Sequence, residues 1–195
     1  WAGRNLVYLE TVDSTNDLAK KLADQGAPEG TLVVADEQTG GKGRRGRAWC
    51  TPKGSAIAMT IVLRPDIRPE LASMVTLVMG LSVAKAIGSL YPVSVGIKWP
   101  NDVVVNGKKI CGILTEMSAE MTGIHYLVIG TGINTNVEEF PEEIQSVATS
   151  LIKELGEKVN RAELIAACLK YFEEYYEKYI AAGNLAPLKE DYEAL

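Results

Sequence analysis

Lys98-Trp99-Pro100-Asn101-Asp102-Val103-Val104-Val105-Asn106-Gly107-Lys108-Lys109-Ile110-Cys111-Gly112-Ile113-Leu114 is the stretch from which the fold can be read. Pro100 has no N–H for a ladder and restricts Trp99, so it breaks the chain between two strands, Val93–Trp99 and Val103–Val105. Asn106-Gly107 is the dipeptide of a tight two-residue hairpin turn. The chain therefore doubles back, and Lys108 to Met117 returns as an antiparallel strand. A further strand is expected over Ile124–Ile133, after a turn at Met121-Thr122-Gly123.

Toward the N-terminus, Leu6-Val7-Tyr8-Leu9 reads as a strand. Ser14 caps a helix whose apolar positions Leu18, Leu22 and Ala23 recur at helical spacing before Gly26 stops it. Strands are expected at Thr31–Ala35 and Ser55–Leu63. A long apolar helix follows from Pro69 to Leu90, over Leu71, Val75, Val78, Leu81 and Val83. Helices close the chain at Arg161–Ala182 and from Pro187 onward. No repeat, low-complexity tract or linker divides this α+β pattern, so 1–195 reads as one domain.

Composition limits the function. The 195 residues are 47% hydrophobic and 23% charged, with a formal net charge of -5, which suits a packed domain and disfavours general nucleic-acid affinity. The sign is uneven: from Gln38 to Thr115 there are eleven Lys or Arg against three acids, Asp66, Glu70 and Asp102. Cys50, Cys111 and Cys168 show no metal-ligand spacing, and an odd number of cysteines suits a reducing cytoplasm better than a disulfide framework. The N-terminus does not read as a signal peptide, and the apolar runs are short and interrupted, so no membrane association is expected. His125, the one histidine, lies in an alternating stretch and reads as a half-exposed strand residue, which disfavours triad or histidine–zinc chemistry.

The charge concentrates in Gly41-Lys42-Gly43-Arg44-Arg45-Gly46-Arg47-Ala48-Trp49, where four cations and three glycines end on an indole. No acid lies between Glu37 and Asp66, so these charges must find an anion from elsewhere. Glycines admit close backbone approach, and Arg supplies a fork matched to carboxylate and phosphate oxygens. The nucleotide-hydrolase phosphate loop needs Ser or Thr after Gly-Lys, but Gly43 stands there. The dinucleotide fingerprint fails too, because Gly130-Thr131-Gly132 is not followed by a third glycine at the required spacing. Two further constellations are the corner at Asn101-Asp102 with Lys109 beyond the hairpin, and the polar turn Gly130-Thr131-Gly132-Ile133-Asn134-Thr135-Asn136. Gly112 would let a ligand lie against its strand. Singly, each of these motifs also fits an ordinary turn.

In order, the Ser14-Thr15-Asn16 helix start, Gln38, the basic loop, Lys98-Trp99-Pro100-Asn101-Asp102, Lys109 and the Gly-Ile-Asn-Thr-Asn turn closely resemble the catalytic domain of biotin protein ligases, from about Glu10 to the chain end. The resemblance implies a mixed, largely antiparallel sheet with helices packed on one side, like class II aminoacyl-tRNA synthetases. It implies activation of biotin with ATP to biotinyl-5′-adenylate, then transfer to a lysine of a biotin carboxyl carrier protein. On that resemblance Arg44 and Lys109 are the catalytic cations. Ser14, Thr15, Asn16, Gln38, Lys42, Gly43, Arg44, Trp49, Lys109 and Gly112 form the biotin site. Arg47, Lys98, Asn101 and Asn134 serve ATP, and Asp102 helps place Mg²⁺.

Lys42 departs from the more usual Arg, keeping the charge but losing the bidentate fork. The DNA-binding helix-turn-helix of regulatory members and the small C-terminal β-barrel are expected to lie outside this chain. Relatives often pair through sheet edges, so a homodimer is one expected arrangement. A lipoate or octanoate ligase or transferase is the nearest alternative, though the loop and the Lys-Trp-Pro-Asn-Asp motif fit biotin better. A nucleic-acid-binding module, with the arginines on phosphates and Trp49 on a base, is the alternative from another class.

Overall fold

The computed structural model describes residues 1–120 and 123–195. The turn expected at Met121-Thr122-Gly123 falls on Met121 and Thr122, which lie outside the described residues. The strands are β1 (Leu6–Val12), β2 (Leu32–Gln38), β3 (Ala56–Leu63), β4 (Val95–Lys98), β5 (Asp102–Val105), β6 (Lys108–Glu120) and β7 (Gly123–Asn134). They form one sheet in the order β1-β2-β3-β7-β6-β5-β4. Only the β1–β2 pair is parallel among the described residues; the remaining pairs are antiparallel. The hairpin at Asn106-Gly107 forms as its dipeptide requires, with φ of 51° and 78°.

A parallel pair needs a crossover, and α1 (Thr15–Asp24) provides it between β1 and β2. Ala19 and Ala23 of this helix pack against Val33, Val62, Tyr126 and Val128 on one sheet face. The other face carries the long helices α2 (Ala72–Leu90) and α4 (Arg161–Ala182), which join Met59, Ile61, Ile113, Ile129 and Ile133 in the main core. The expectation of helices on a single side thus holds for the long helices and is corrected for α1. The reason is local: a short crossover must fold back over its own strands, and the apolar stripe of α1 matches Val33 and Val62.

The stretch Pro69–Leu90 is apolar all round. By length and composition it could cross a membrane, yet 61% of its most apolar window is buried within the fold. It begins as a single 3₁₀ turn, Pro69–Leu71, before α2 proper. Val75, Val78, Leu81, Val83 and Ile87 are fully buried in it, each stabilising the fold by about 1.5–3 kcal/mol. Two short helices follow, α3 (Leu151–Leu155), which has no clear sequence signal, and α5 (Lys189–Glu193), which continues from a 3₁₀ turn at Ala186–Leu188.

Candidate active site

On the α1 face, the middles of β6 and β7 form the floor of a cleft open to solvent. That floor is backbone, because side chains from elsewhere need its space. A Cβ at Gly130 would come 2.0 Å from Asn16 Oδ1, and one at Gly132 would come 2.3 Å from the Trp49 indole. At Gly112 the corresponding space is shared by Trp49 and the Lys109 side chain, at 3.0 and 3.3 Å.

One wall is the first turn of α1, where Ser14, Thr15 and Asn16 are all buried. Buried polar groups need partners, and these have them. Thr15 donates from its backbone N–H and its hydroxyl to Gln38 Oε1, at 2.9 and 3.0 Å. Gln38 in turn donates to Thr51 Oγ1 at 3.2 Å. The Thr60 hydroxyl lies 2.8 Å from Thr15 Oγ1 and 2.7 Å from Asn16 Oδ1. Asn16 Nδ2 donates to Glu116 Oε2 at 2.8 Å. The wall is therefore a pre-formed polar lattice of fixed donors and acceptors.

The basic loop arches over the cleft. The backbone N–H of Trp49 donates to Gly41 O and that of Gly43 to Arg47 O, closing it as a small hairpin. At its tip Arg45 and Gly46 take positive φ, 57° and 73°, the conformation that glycine permits at least cost. Lys42 Nζ pairs with Asp17 at 2.6 Å. Arg44 Nη1 donates to Asn101 Oδ1 at 2.7 Å.

Asn101 stands at the corner that Pro100 makes, through a cis Trp99–Pro100 peptide. Its amide donates to Asp102 Oδ1 at 3.0 Å, and the same oxygen holds Lys109 Nζ at 2.8 Å. Lys109 Nζ also lies 5.5 Å from the Trp49 ring centroid, within cation–π range. A continuous chain Arg44–Asn101–Asp102–Lys109 thus brings two cations, 65 positions apart in sequence, to one end of the cleft. Such an arrangement can draw two anions together at one end of the cleft.

Of the residues singled out from sequence, Ser14, Thr15, Asn16, Gln38, Lys42, Gly43, Arg44, Trp49, Asn101, Lys109 and Gly112 line this cleft. Arg47 and Lys98 are exposed outside its lining. Asp102 stands behind Lys109. Asn134 is buried outside the lining, its amide donated to Thr149 O at 3.2 Å. Sequence reading missed Asp17, Thr60 and Glu116, which support the polar wall across separations of 25 to 100 residues. The one available signal was Thr60, a polar residue within the fully buried strand β3. Neither buried thiol is a nucleophile here: burial pushes Cys168 up to about 12 and Cys111 well above its ordinary range.

Residues 8–134 match the family model described as the biotin/lipoate A/B protein ligase family. The bifunctional ligase/repressor BirA of Bacillus spizizenii is 43% identical over 189 residues, covering 96% of this chain and 58% of that protein. The biotin–[acetyl-CoA-carboxylase] ligase of Paracoccus denitrificans is 42% identical over 128 residues, covering 65% of this chain and 52% of that protein. Among solved structures, the biotin protein ligase of Aquifex aeolicus in complex with biotin and ATP superposes with a TM-score of 0.84 at 34% identity, covering 97% of this chain and 77% of that one. The chain thus spans between half and three-fifths of the length of these two curated relatives. With its cleft, its two convergent cations and these matches together, the chain belongs to the biotin/lipoate A/B protein ligase family.

Proposed function

We propose that this chain carries the catalytic domain of a biotin protein ligase, which activates biotin with ATP and transfers it to a lysine of a carboxyl carrier protein. The observation that carries the reading is the convergence of Arg44 and Lys109 at one end of a cleft whose other wall holds Thr15, Asn16 and Gln38. A ureido ring offers two N–H donors and one carbonyl acceptor, the complement of hydroxyls and amides already fixed in place. Trp49 over Gly112 and Gly132 gives the ring and aliphatic chain an apolar surface. The carboxylate then reaches the cationic end.

There a biotin carboxylate oxygen attacks the α-phosphorus of ATP, the bond from that phosphorus to the bridging oxygen breaks, and pyrophosphate leaves. Two anions meet in this step, so cations that hold them at contact distance lower the barrier. Arg44 and Lys109 fill that role, and each is already oriented by the Asn101–Asp102 pair. In the second step the amine of the carrier lysine attacks the acyl carbon, AMP leaves, and the proton passes to solvent.

Mg²⁺ fits this site as ATP's own partner. Among the described residues no cluster of three or more metal-binding side chains exists. Asp102 keeps one carboxylate oxygen beside the pair to Lys109, enough for an ion otherwise held by phosphates and water. Mg²⁺ so bound would neutralise phosphate charge. In this reading the exposed Arg47 and Lys98 would meet the outer phosphates, and three free cysteines support a reducing, cytoplasmic setting.

Biotin-dependent exchange of pyrophosphate into ATP tests the reading, with lipoate and octanoate in parallel. Exchange with biotin alone is expected, and Arg44→Ala and Lys109→Ala should each lower its rate by about 10²- to 10³-fold. Exchange with lipoate or octanoate instead of biotin would replace the reading.

A further inference from the structure

We infer that Asp17 is a positioning residue that holds the leading limb of the basic loop across the cleft by binding Lys42. The ligand in this inference rests on the biotin-ligase reading, whereas the contact itself rests on geometry. Within its own stretch of sequence the loop has no acid to neutralise it. Asp17, 25 positions upstream, meets Lys42 at 2.6 Å from the same helical turn that supplies Thr15 and Asn16 to the cleft wall.

The pair is not an isolated surface contact. Asp17 Oδ2 takes Lys42 while Oδ1 takes Lys20 at 3.0 Å. Lys20 reaches Glu116 Oε1 at 2.8 Å, and Glu116 Oε2 receives the Asn16 amide. All four carboxylate oxygens therefore have a nitrogen partner, and the loop is tied through α1 to β6 and to the cleft floor. On the opposite bank Arg44 is held by Asn101. Gly43, which lines the cleft, is thus strung between two anchors. Releasing the Asp17 anchor leaves Arg44 in place but frees one end of the span, so ligand must restrain it on binding.

Asp17 and Lys42 side chains are 41% and 50% exposed, so the expected effect is modest, about threefold, and sensitive to salt. Two measurements test it on wild type, Asp17→Asn and Asp17→Glu. The first is the rate of tryptic cutting after Arg44, Arg45 and Arg47. The second is affinity for biotinamide, chosen because it lacks the carboxylate that would itself respond to salt. Asp17→Asn should be cut about threefold faster and bind about threefold more weakly at low salt. High salt should bring wild type down to the level of Asp17→Asn, and Asp17→Glu should restore much of the effect. Equal cutting of wild type and Asp17→Asn would overturn the inference. So would a binding loss that persists at high salt and tracks a fall in melting temperature, since that marks general helix damage. If wild type binds no biotinamide, the biotin reading has failed, while the cutting rates still decide whether Asp17 holds the loop.

Discussion

Thr131 shows how one side chain can work against the fold that contains it. Its backbone belongs to the cleft floor, but strand alternation sends its side chain to the other face, with its register partners Met59 and Ile113 in the main core. The hydroxyl there has no hydrogen-bond partner among the described residues. An unmet buried hydroxyl costs about 1–3 kcal/mol, and valine has nearly the same shape. Thr131→Val should therefore raise unfolding stability by about 1 kcal/mol in urea titration, and an equal loss would show that the hydroxyl is satisfied in solution. At this scale the sequence revealed Arg44, Lys109, Trp49 and Asn101, because glycine-spaced cations and a proline corner are unusual locally. It concealed Asp17 and Glu116, whose work depends on neighbours up to 100 positions away. It also left Gly112 open to a ligand-facing role, whereas the structure seats Trp49 and Lys109 above it.

Among the elements, those with strong periodicity or turn chemistry were legible: α4 has the bounds its sequence suggests, and the β5–β6 hairpin turns at Asn106-Gly107. The side of the sheet that α1 covers was not, since an amphipathic stripe says that a face is buried without saying against which face of the sheet. Helix α4 starts where Asn160 accepts from the N–H groups of Ala162 and Glu163, at 3.1 and 3.3 Å. Because those N–H groups have no partner within the helix, Asn160→Ala should cost about 1 kcal/mol and lower the melting temperature by a few degrees. The neighbouring ion pair of Arg161 with Asp36, at 2.7 Å, ties the same helix end to β2. A variant with unchanged melting temperature would mean that this pair alone fixes the helix start.

For the molecule as a whole, burial fixes the response to alkali. Cys111 and Cys168 are fully buried in one core, and both hold their protons more tightly than they would in the unfolded chain. Above an ordinary thiol value of 9.0 the unfolded state releases protons that the folded state keeps, so stability must fall as pH rises. For Cys168 the fall runs from about pH 9 to about 12, at about 1.4 kcal/mol per pH unit. Below pH 9 these thiols leave stability unchanged. Denaturation curves at pH 8 and 10 should show the difference, and Cys168→Ala should shrink it. A flat profile in wild type would mean that both thiols ionise within the fold.

The long strands β6 and β7 carry two patterns at once. Gly112 faces Gly132, and Leu114 faces Gly130, on the cleft side, while Cys111 faces Ile133 and Ile113 faces Thr131 on the core side. A slip of one residue between these strands would turn Ile133 and Thr131 toward the ligand and leave glycines where the core needs bulk. The cleft would be blocked and the interior hollow in the same stroke. Folding therefore proofreads this site: a molecule that passes the test of a filled interior has already laid a smooth floor for its ligand, and faulty copies are eliminated by instability before their chemistry is ever tried.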